Sequence, residues 1–256
     1  MQYKKQQQRL TISIQGHEII GNDLCIMAGP CSVENEEQID LIANKISKLN
    51  IKIIRGGAYK PRTSPYSFQG LGHDGILMLA AAAKRHNLFS ISEVIDEHSL
   101  EIANEYIDIL QIGSRNMQNF SLLKAVGKST KPIMLKRGAA ASYEEFLLAA
   151  EYILNTGNPN VILCERGIRT FETYTRNTLD LAAVPVLQEL SHLPVVIDPS
   201  HGSGRASLIK PLTMAAVAVG ADGIMIEAHN EPKKSISDAD QAISLEELEQ
   251  IVKALL

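Results

Sequence analysis

The chain has 256 residues, 45% of them apolar, and a formal net charge of −4, which allows a full core and lacks the basic excess that draws proteins to nucleic acid. No apolar run reaches membrane-spanning length, the polar residues 1–8 form no signal peptide, and three cysteines are too few for a disulfide framework, so the expected address is the cytoplasm. Tryptophan is absent and aromatics are 5% of the chain, which leaves little for stacking bases or sugars.

Residues 1–23 read as a polar segment and then a hairpin. Leu10, Ile12 and Ile14 alternate with polar residues, Gln15-Gly16-His17 turns, and Ile19-Ile20 returns. This leader is expected to cap one end of the fold or to meet another subunit. From residue 24 to 256 short apolar runs alternate with amphipathic segments. The strand candidates are 24–28, 51–54, 88–91, 107–112, 132–135, 161–164, 194–197 and 222–226. Between them, Ile39, Ile42, Ala43, Ile46 and Leu49 mark a helical stripe, and residues 77–83 are strong helix formers. Ser142 with Glu145 and Ser244 with Glu247 read as capping boxes. Pro185 lies inside the pattern 178–191, so that helix is kinked or begins late. Regular alternation with near-continuous apolar strands means a parallel sheet covered by helices. Eight repeats in a chain of this length predict an α/β fold of the (β/α)8 (TIM) barrel type, with a short N-terminal β-hairpin extension.

In such a barrel the loops after the strands build the site. Here those loops carry Gly29-Pro30-Cys31-Ser32, a stretch from Arg55 to Pro65, Glu93, Gly113-Ser114-Arg115-Asn116, Lys136-Arg137-Gly138, Glu165-Arg166-Gly167, a stretch from Asp198 to Arg205, and Glu227-Ala228-His229 with Asp238 beyond. Two chemistries separate. Arg55, Lys60, Arg62, Arg115, Lys136 and Arg166 form a cationic funnel suited to more than one phosphate, or to a phosphate and a carboxylate. For any one of them the plain alternative is solvation or pairing with Glu93 or Glu165. Cys31, His201, Glu227 and Asp238 offer sulfur, nitrogen and oxygen donors, a mixed set that suits Mn, Fe, Co or Zn and not Mg or Ca. No local spacing singles them out, and Cys31 read alone is equally a small buried hydrophobe. Cys25 and Cys164 lie within strands and read as packing. His17, His86, His98 and His192 read as solvated, His73 as near the mouth, and His229 as orienting a ligand.

The stretches Gly29–Glu34, Arg55–Pro65, Gly113–Gln118, Lys136–Gly138, Glu165–Gly167 and Asp198–Gly202 together resemble 3-deoxy-D-arabino-heptulosonate 7-phosphate (DAHP) synthases of the short type I-beta branch, from about residue 20 to the end. The resemblance implies a metal-dependent (β/α)8 barrel that condenses phosphoenolpyruvate with erythrose 4-phosphate, the first step of the shikimate pathway. It implies that Cys31, His201, Glu227 and Asp238 hold a divalent ion. It further implies that Arg55, Lys60, Arg115, Lys136 and Arg166 hold phosphoenolpyruvate, with Ser114 contributing its backbone N–H. Arg62 and Thr63 would hold erythrose 4-phosphate. Apart from the resemblance, Lys60 is the candidate to hand a proton to the new alkoxide, since neighbouring cations could tune its amine.

The sequence departs from the family pattern in three places. Ser114 stands where Ala is usual. Ser237-Asp238-Ala239-Asp240-Gln241 replaces Ser-Asp-Gly-Pro-Gln, which leaves Asp240 as an alternative to Asp238. No appended regulatory domain is expected, hence no feedback inhibition through the chain itself, though this leaves room for a separate regulatory protein. A dimer or tetramer is expected. The rivals are 3-deoxy-octulosonate 8-phosphate synthase, with arabinose 5-phosphate as acceptor, and a non-catalytic phosphosugar-binding scaffold. Lys60-Pro61-Arg62-Thr63 and Asp198-Pro199-Ser200-His201 favour the heptulosonate reading over the first.

Overall fold

The computed structural model describes residues 9–255. It opens on an antiparallel hairpin, β1 (Ile12–Ile14) and β2 (His17–Ile20). Gln15 and Gly16 between them both have positive φ, 51° and 82°, which a two-residue hairpin turn matched to strand twist requires. His17 is therefore the first residue of a strand.

Eight parallel strands follow: β3 (Cys25–Gly29), β4 (Ile53–Arg55), β5 (Phe89–Val94), β6 (Ile109–Ile112), β7 (Ile133–Lys136), β8 (Val161–Glu165), β9 (Val195–Ile197) and β10 (Gly223–His229). Each pairs with the next, and β10 pairs with both β9 and β3, so the sheet closes on itself. All eight coincide with the apolar runs read from the sequence. Several extend further toward polar residues, to Glu93, Lys136, Glu165 and His229. A short ninth strand, β11 (Ile243–Ser244), adds parallel to the end of β10. Two residues carry too little pattern to announce a strand.

The helices α1 (Glu36–Lys48), α2 (His73–Arg85), α3 (Glu97–Tyr106), α4 (Phe120–Val126), α5 (Tyr143–Thr156), α6 (Ala183–Leu190), α7 (Pro199–Ser203), α8 (Ala206–Ala218) and α9 (Leu245–Leu255) complete the described chain. Ser142 and Glu145 exchange side-chain-to-backbone hydrogen bonds at the start of α5, and Ser244 and Glu247 do the same at α9. Helix α6 begins late, with Pro185 in its first turn, where a missing N–H costs nothing. Helix α7, immediately after β9, was legible only as a polar turn.

Two apolar layers hold the barrel. Outward residues such as Ile54, Leu110, Leu135, Leu163 and Ile226 pack under the helices. Inward residues Met27, Ile53, Ile91, Ile109, Met134, Ile162, Val196 and Met225 fill the interior. Ile12, Ile14, Ile19 and Ile20 of the hairpin join that interior cluster. Arg9 meets Asp222 at 2.6 Å, and Leu10 donates its N–H to the carbonyl of His192 at 2.9 Å. Both partners precede strands, so the hairpin plugs the end where the strands begin. The site is left to the opposite end.

Candidate active site

The two-residue period of a strand turns an apolar layer into a polar one. Two residues beyond Met27, Ile53, Ile91, Ile109, Met134, Val196 and Met225 come Gly29, Arg55, Glu93, Gln111, Lys136, Asp198 and Glu227. Arg55, Glu93, Gln111 and Lys136 line a pocket at this end together with Lys60, Arg62, Ser114, Arg115, Arg176, His201 and Asp238. Gly29 makes the packing possible. Its φ is +150°, and a Cβ there would lie 2.0 Å from the Arg55 carbonyl oxygen, so only glycine lets the ends of β3 and β4 meet.

The cations are held in different ways. Buried Arg55 donates to Glu227 Oε1 at 2.6 Å and to the Pro30 carbonyl at 2.8 Å. Buried Lys136 donates to Asp198 Oδ2 at 2.6 Å. Lys60 reaches Cys31, 2.9 Å from Sγ and 3.0 Å from its carbonyl. Arg62 lies 3.9 Å from Asp238. Arg115 is exposed at the rim, and Thr63 follows Arg62 on an exposed stretch. Arg166 is buried and donates to the Gly167 carbonyl at 3.5 Å. Burial pushes its guanidinium below the usual range, with Asp198 opposing. None of the six pairs with Glu93 or Glu165. The partner of Glu165 is Arg137, at 2.9 Å on the helix side of the sheet, and Glu165 also accepts from the Gly167 N–H at 2.5 Å.

Cys31 Sγ and oxygens of Glu227 and Asp238 lie within 4.8 Å of one another. Cys31 Sγ is 3.2 Å from Asp238 Oδ2. His201 adjoins the trio through Glu227, its Nε2 3.4 Å from Oε1. Asp238 enters this cluster, while Asp240 is exposed. Asp198 orients the histidine. Its Oδ1 accepts from the His201 backbone N–H and its Oδ2 faces Nδ1 at 2.7 Å, which leaves Nε2 to face the cluster. Burial pushes His201 down and so favours the neutral ring. Burial pushes the Cys31 thiol up to about 11, Glu227 adding to it. Against its own burial, Glu227 is held down to about 2 by His201, Arg55 and Lys60. One thiol and two carboxylates in one small volume, with an imidazole nitrogen adjoining them through Glu227, are a donor set that fits a divalent ion of borderline softness.

The remaining residues fall elsewhere. His229 is buried at the end of β10 against Gln38, at 3.0 Å, and accepts from the Glu231 N–H at 2.9 Å, so it braces α1 and the following loop. His73 packs its ring against Tyr106, and His86 bonds Asp40. Cys25 and Cys164 belong to the interior packing, and burial raises both thiols to about 12. Arg176, at the mouth, had no part in the sequence reading; Gln111 stood there only within a strand candidate, and Gln241 only as the end of the 237–241 stretch. Gln111 announced itself only as an inward polar residue inside an apolar run. Arg176 lies eleven positions past the end of β8, and no local pattern marks it.

Residues 6–255 match the model of the DAHP synthetase I family. The chain belongs to that family. The phospho-2-dehydro-3-deoxyheptonate aldolase of Thermotoga maritima is 52% identical over 246 residues, covering 96% of this chain and 73% of that protein. The crystal structure of the Thermotoga maritima DAHP synthase superposes with a TM-score of 0.94 at 50% identity, covering 97% of this chain and 73% of that one. A truncated form of the Thermotoga maritima enzyme gives 0.91 at 46% identity, covering 97% and 91%. A 2-dehydro-3-deoxyphosphooctonate aldolase of Desulfatibacillum aliphaticivorans is more distant, 31% identical over 255 residues, covering 93% of this chain and 92% of that protein.

Proposed function

We propose that this chain condenses phosphoenolpyruvate with erythrose 4-phosphate and water to give DAHP and phosphate, the first step of the shikimate pathway. The observation that carries the reading is the adjacency of the cationic mouth to the Cys31, Glu227 and Asp238 cluster. A site for two phosphorylated anions needs the first, and polarisation of an aldehyde needs the second.

In this reading Arg115, Lys136 and Arg166 take the phosphate of phosphoenolpyruvate, with the Ser114 backbone beside it. Arg55 and Lys60 take its other end. Arg62 and Thr63 hold erythrose 4-phosphate. A divalent ion held by Cys31, His201, Glu227 and Asp238 would supply Lewis acidity toward the aldehyde oxygen. Holding two anions at reacting distance is chiefly an orientation effect. The vinyl carbon of phosphoenolpyruvate then attacks the aldehyde carbon, water adds at C-2, and the phosphohemiketal loses phosphate by C–O cleavage. The same cations stabilise the departing phosphate. Lys60 hands a proton to the new alkoxide. No helix among the described residues is long and apolar enough to cross a membrane. A cytoplasmic address belongs to the same reading. Assembly as a dimer or tetramer belongs to the same reading, and light scattering reads it.

The test is phosphate release from phosphoenolpyruvate with Mn(II) and either erythrose 4-phosphate or arabinose 5-phosphate. Release with the four-carbon sugar, abolished by chelator and restored by Mn(II), is expected. Preference for the pentose phosphate would make the chain an octulosonate synthase, and release with neither would make it a binding protein.

A further inference from the structure

Gln241 is buried with its amide between opposite charges. Its Oε1 accepts from Arg176 Nη1 at 2.9 Å, and its Nε2 donates to Glu227 Oε2 at 2.5 Å. The same Arg176 nitrogen lies 3.4 Å from Asp238 Oδ1, so that oxygen faces the guanidinium and Oδ2 is left toward Cys31. One guanidinium thus fixes the orientation of two carboxylates, Asp238 directly and Glu227 through the amide. The amide serves here as acceptor at its oxygen and donor at its nitrogen, which matches a cation on one side and a carboxylate on the other. Asp238 also has a left-handed backbone, φ 53°, which a non-glycine residue keeps only where its surroundings hold it.

Arg176 is itself anchored. Its backbone N–H bonds the Ser203 carbonyl at 2.8 Å, and Asn177 bonds the carbonyls of Gly202 and His201. The segment that carries His201 therefore also places Arg176. Two loops that meet only in the folded chain are joined by this one side chain.

We infer that Arg176 and Gln241 are positioning residues that preset the Glu227 and Asp238 carboxylates for a divalent cation. The inference rests on the cation reading of the Cys31 cluster. Outer partners of this kind typically change metal affinity by about 10- to 100-fold when lost.

The experiment is a titration of the chelator-stripped full chain with Mn(II), free ion being read by its paramagnetic resonance signal. The variants are Arg176→Ala, Gln241→Met, their double and Cys31→Ser, each checked by thermal unfolding. Expected is a loss of Mn(II) affinity of about tenfold or more in each single variant. The double should be little weaker than the worse single, because both break one chain of contacts. Gln241 is buried, so should Gln241→Met not fold, the partly exposed Arg176→Ala decides alone. Parental Mn(II) affinity in Arg176→Ala, with Cys31→Ser defective, overturns the positioning role and leaves the cation site standing. Absence of Mn(II) binding by the parent, or binding that ignores Cys31→Ser, overturns the cation reading and this inference with it.

Discussion

Lys60 stands where the two chemistries of the mouth meet, its ammonium 2.9 Å from Cys31 Sγ within the cation-lined pocket. A group that only held substrate would change KM when removed. A group that moves a proton in the transition state changes kcat. Lys60→Ala is therefore expected to lower kcat by about 100-fold or more, as for a lost general acid, with a smaller change in the KM values. An unchanged kcat in steady-state phosphate release would remove Lys60 from that role. The cysteines give a second residue-scale expectation. Burial raises Cys31 to about 11 and Cys25 and Cys164 to about 12, so a thiol of Cys31's kind is about one part in a thousand thiolate at pH 8. The chelated native protein should react with a thiol reagent far more slowly than the unfolded chain, which presents all three cysteines. The rate should climb about tenfold per pH unit between 8 and 10, because a raised pKa keeps the reactive form scarce until pH approaches it. Fast labelling of a native thiol at pH 8 would contradict this burial.

At the scale of elements, the strands were legible because parallel strands buried on both faces read as unbroken apolar runs. The reading stopped short where the inward face turns polar, at Glu93, Lys136 and Glu227, though the strands continue to those residues. These places are the site, so the loss of pattern was itself the signal, and most of the predicted cations and donors proved to share one mouth. What could not be read was the partition of charges. Lys136 and Arg137 are adjacent in sequence yet face opposite sides of β7, one toward Asp198 in the barrel and the other toward Glu165 and Asp180 under the helices. Arg176 was beyond reach for a different reason, since its partner Asp238 is 62 residues away. Helix α7 was read as a turn because glycine and serine mask a single helical turn that Asp198 caps and Pro199 starts. The junction of β3 and β4 carries an element-scale prediction. Gly29→Ala would drive a Cβ to 2.0 Å from a backbone oxygen that cannot rotate away, at φ +150°. It should cost more than about 2 kcal/mol in a denaturant midpoint series, and it should weaken phosphoenolpyruvate binding through displaced Arg55. A stable Gly29→Ala protein with parental affinity would show that the two strand ends have slack.

At the scale of the whole molecule, stability and chemistry are assigned to opposite ends of one cylinder. Ile12 and Ile20 are fully buried among the inward residues at the end where strands begin. The charged mouth lies past the layer formed by Met27, Ile53, Ile91 and Met134. That layer is buried and separates the hairpin from the mouth. Truncating a buried isoleucine removes transfer energy and leaves a cavity, together worth about 2–5 kcal/mol. Ile12→Ala and Ile20→Ala should each shift the unfolding midpoint accordingly. The pair should depart from additivity, because both side chains belong to one cluster across the β1–β2 hairpin. Neither variant should change KM for either substrate or Mn(II) affinity at a temperature well below its melting point. A large KM change in a folded Ile12→Ala protein would mean that the barrel interior transmits strain from plug to mouth. In that case the hairpin would be part of the working site and not only the seal at its far end.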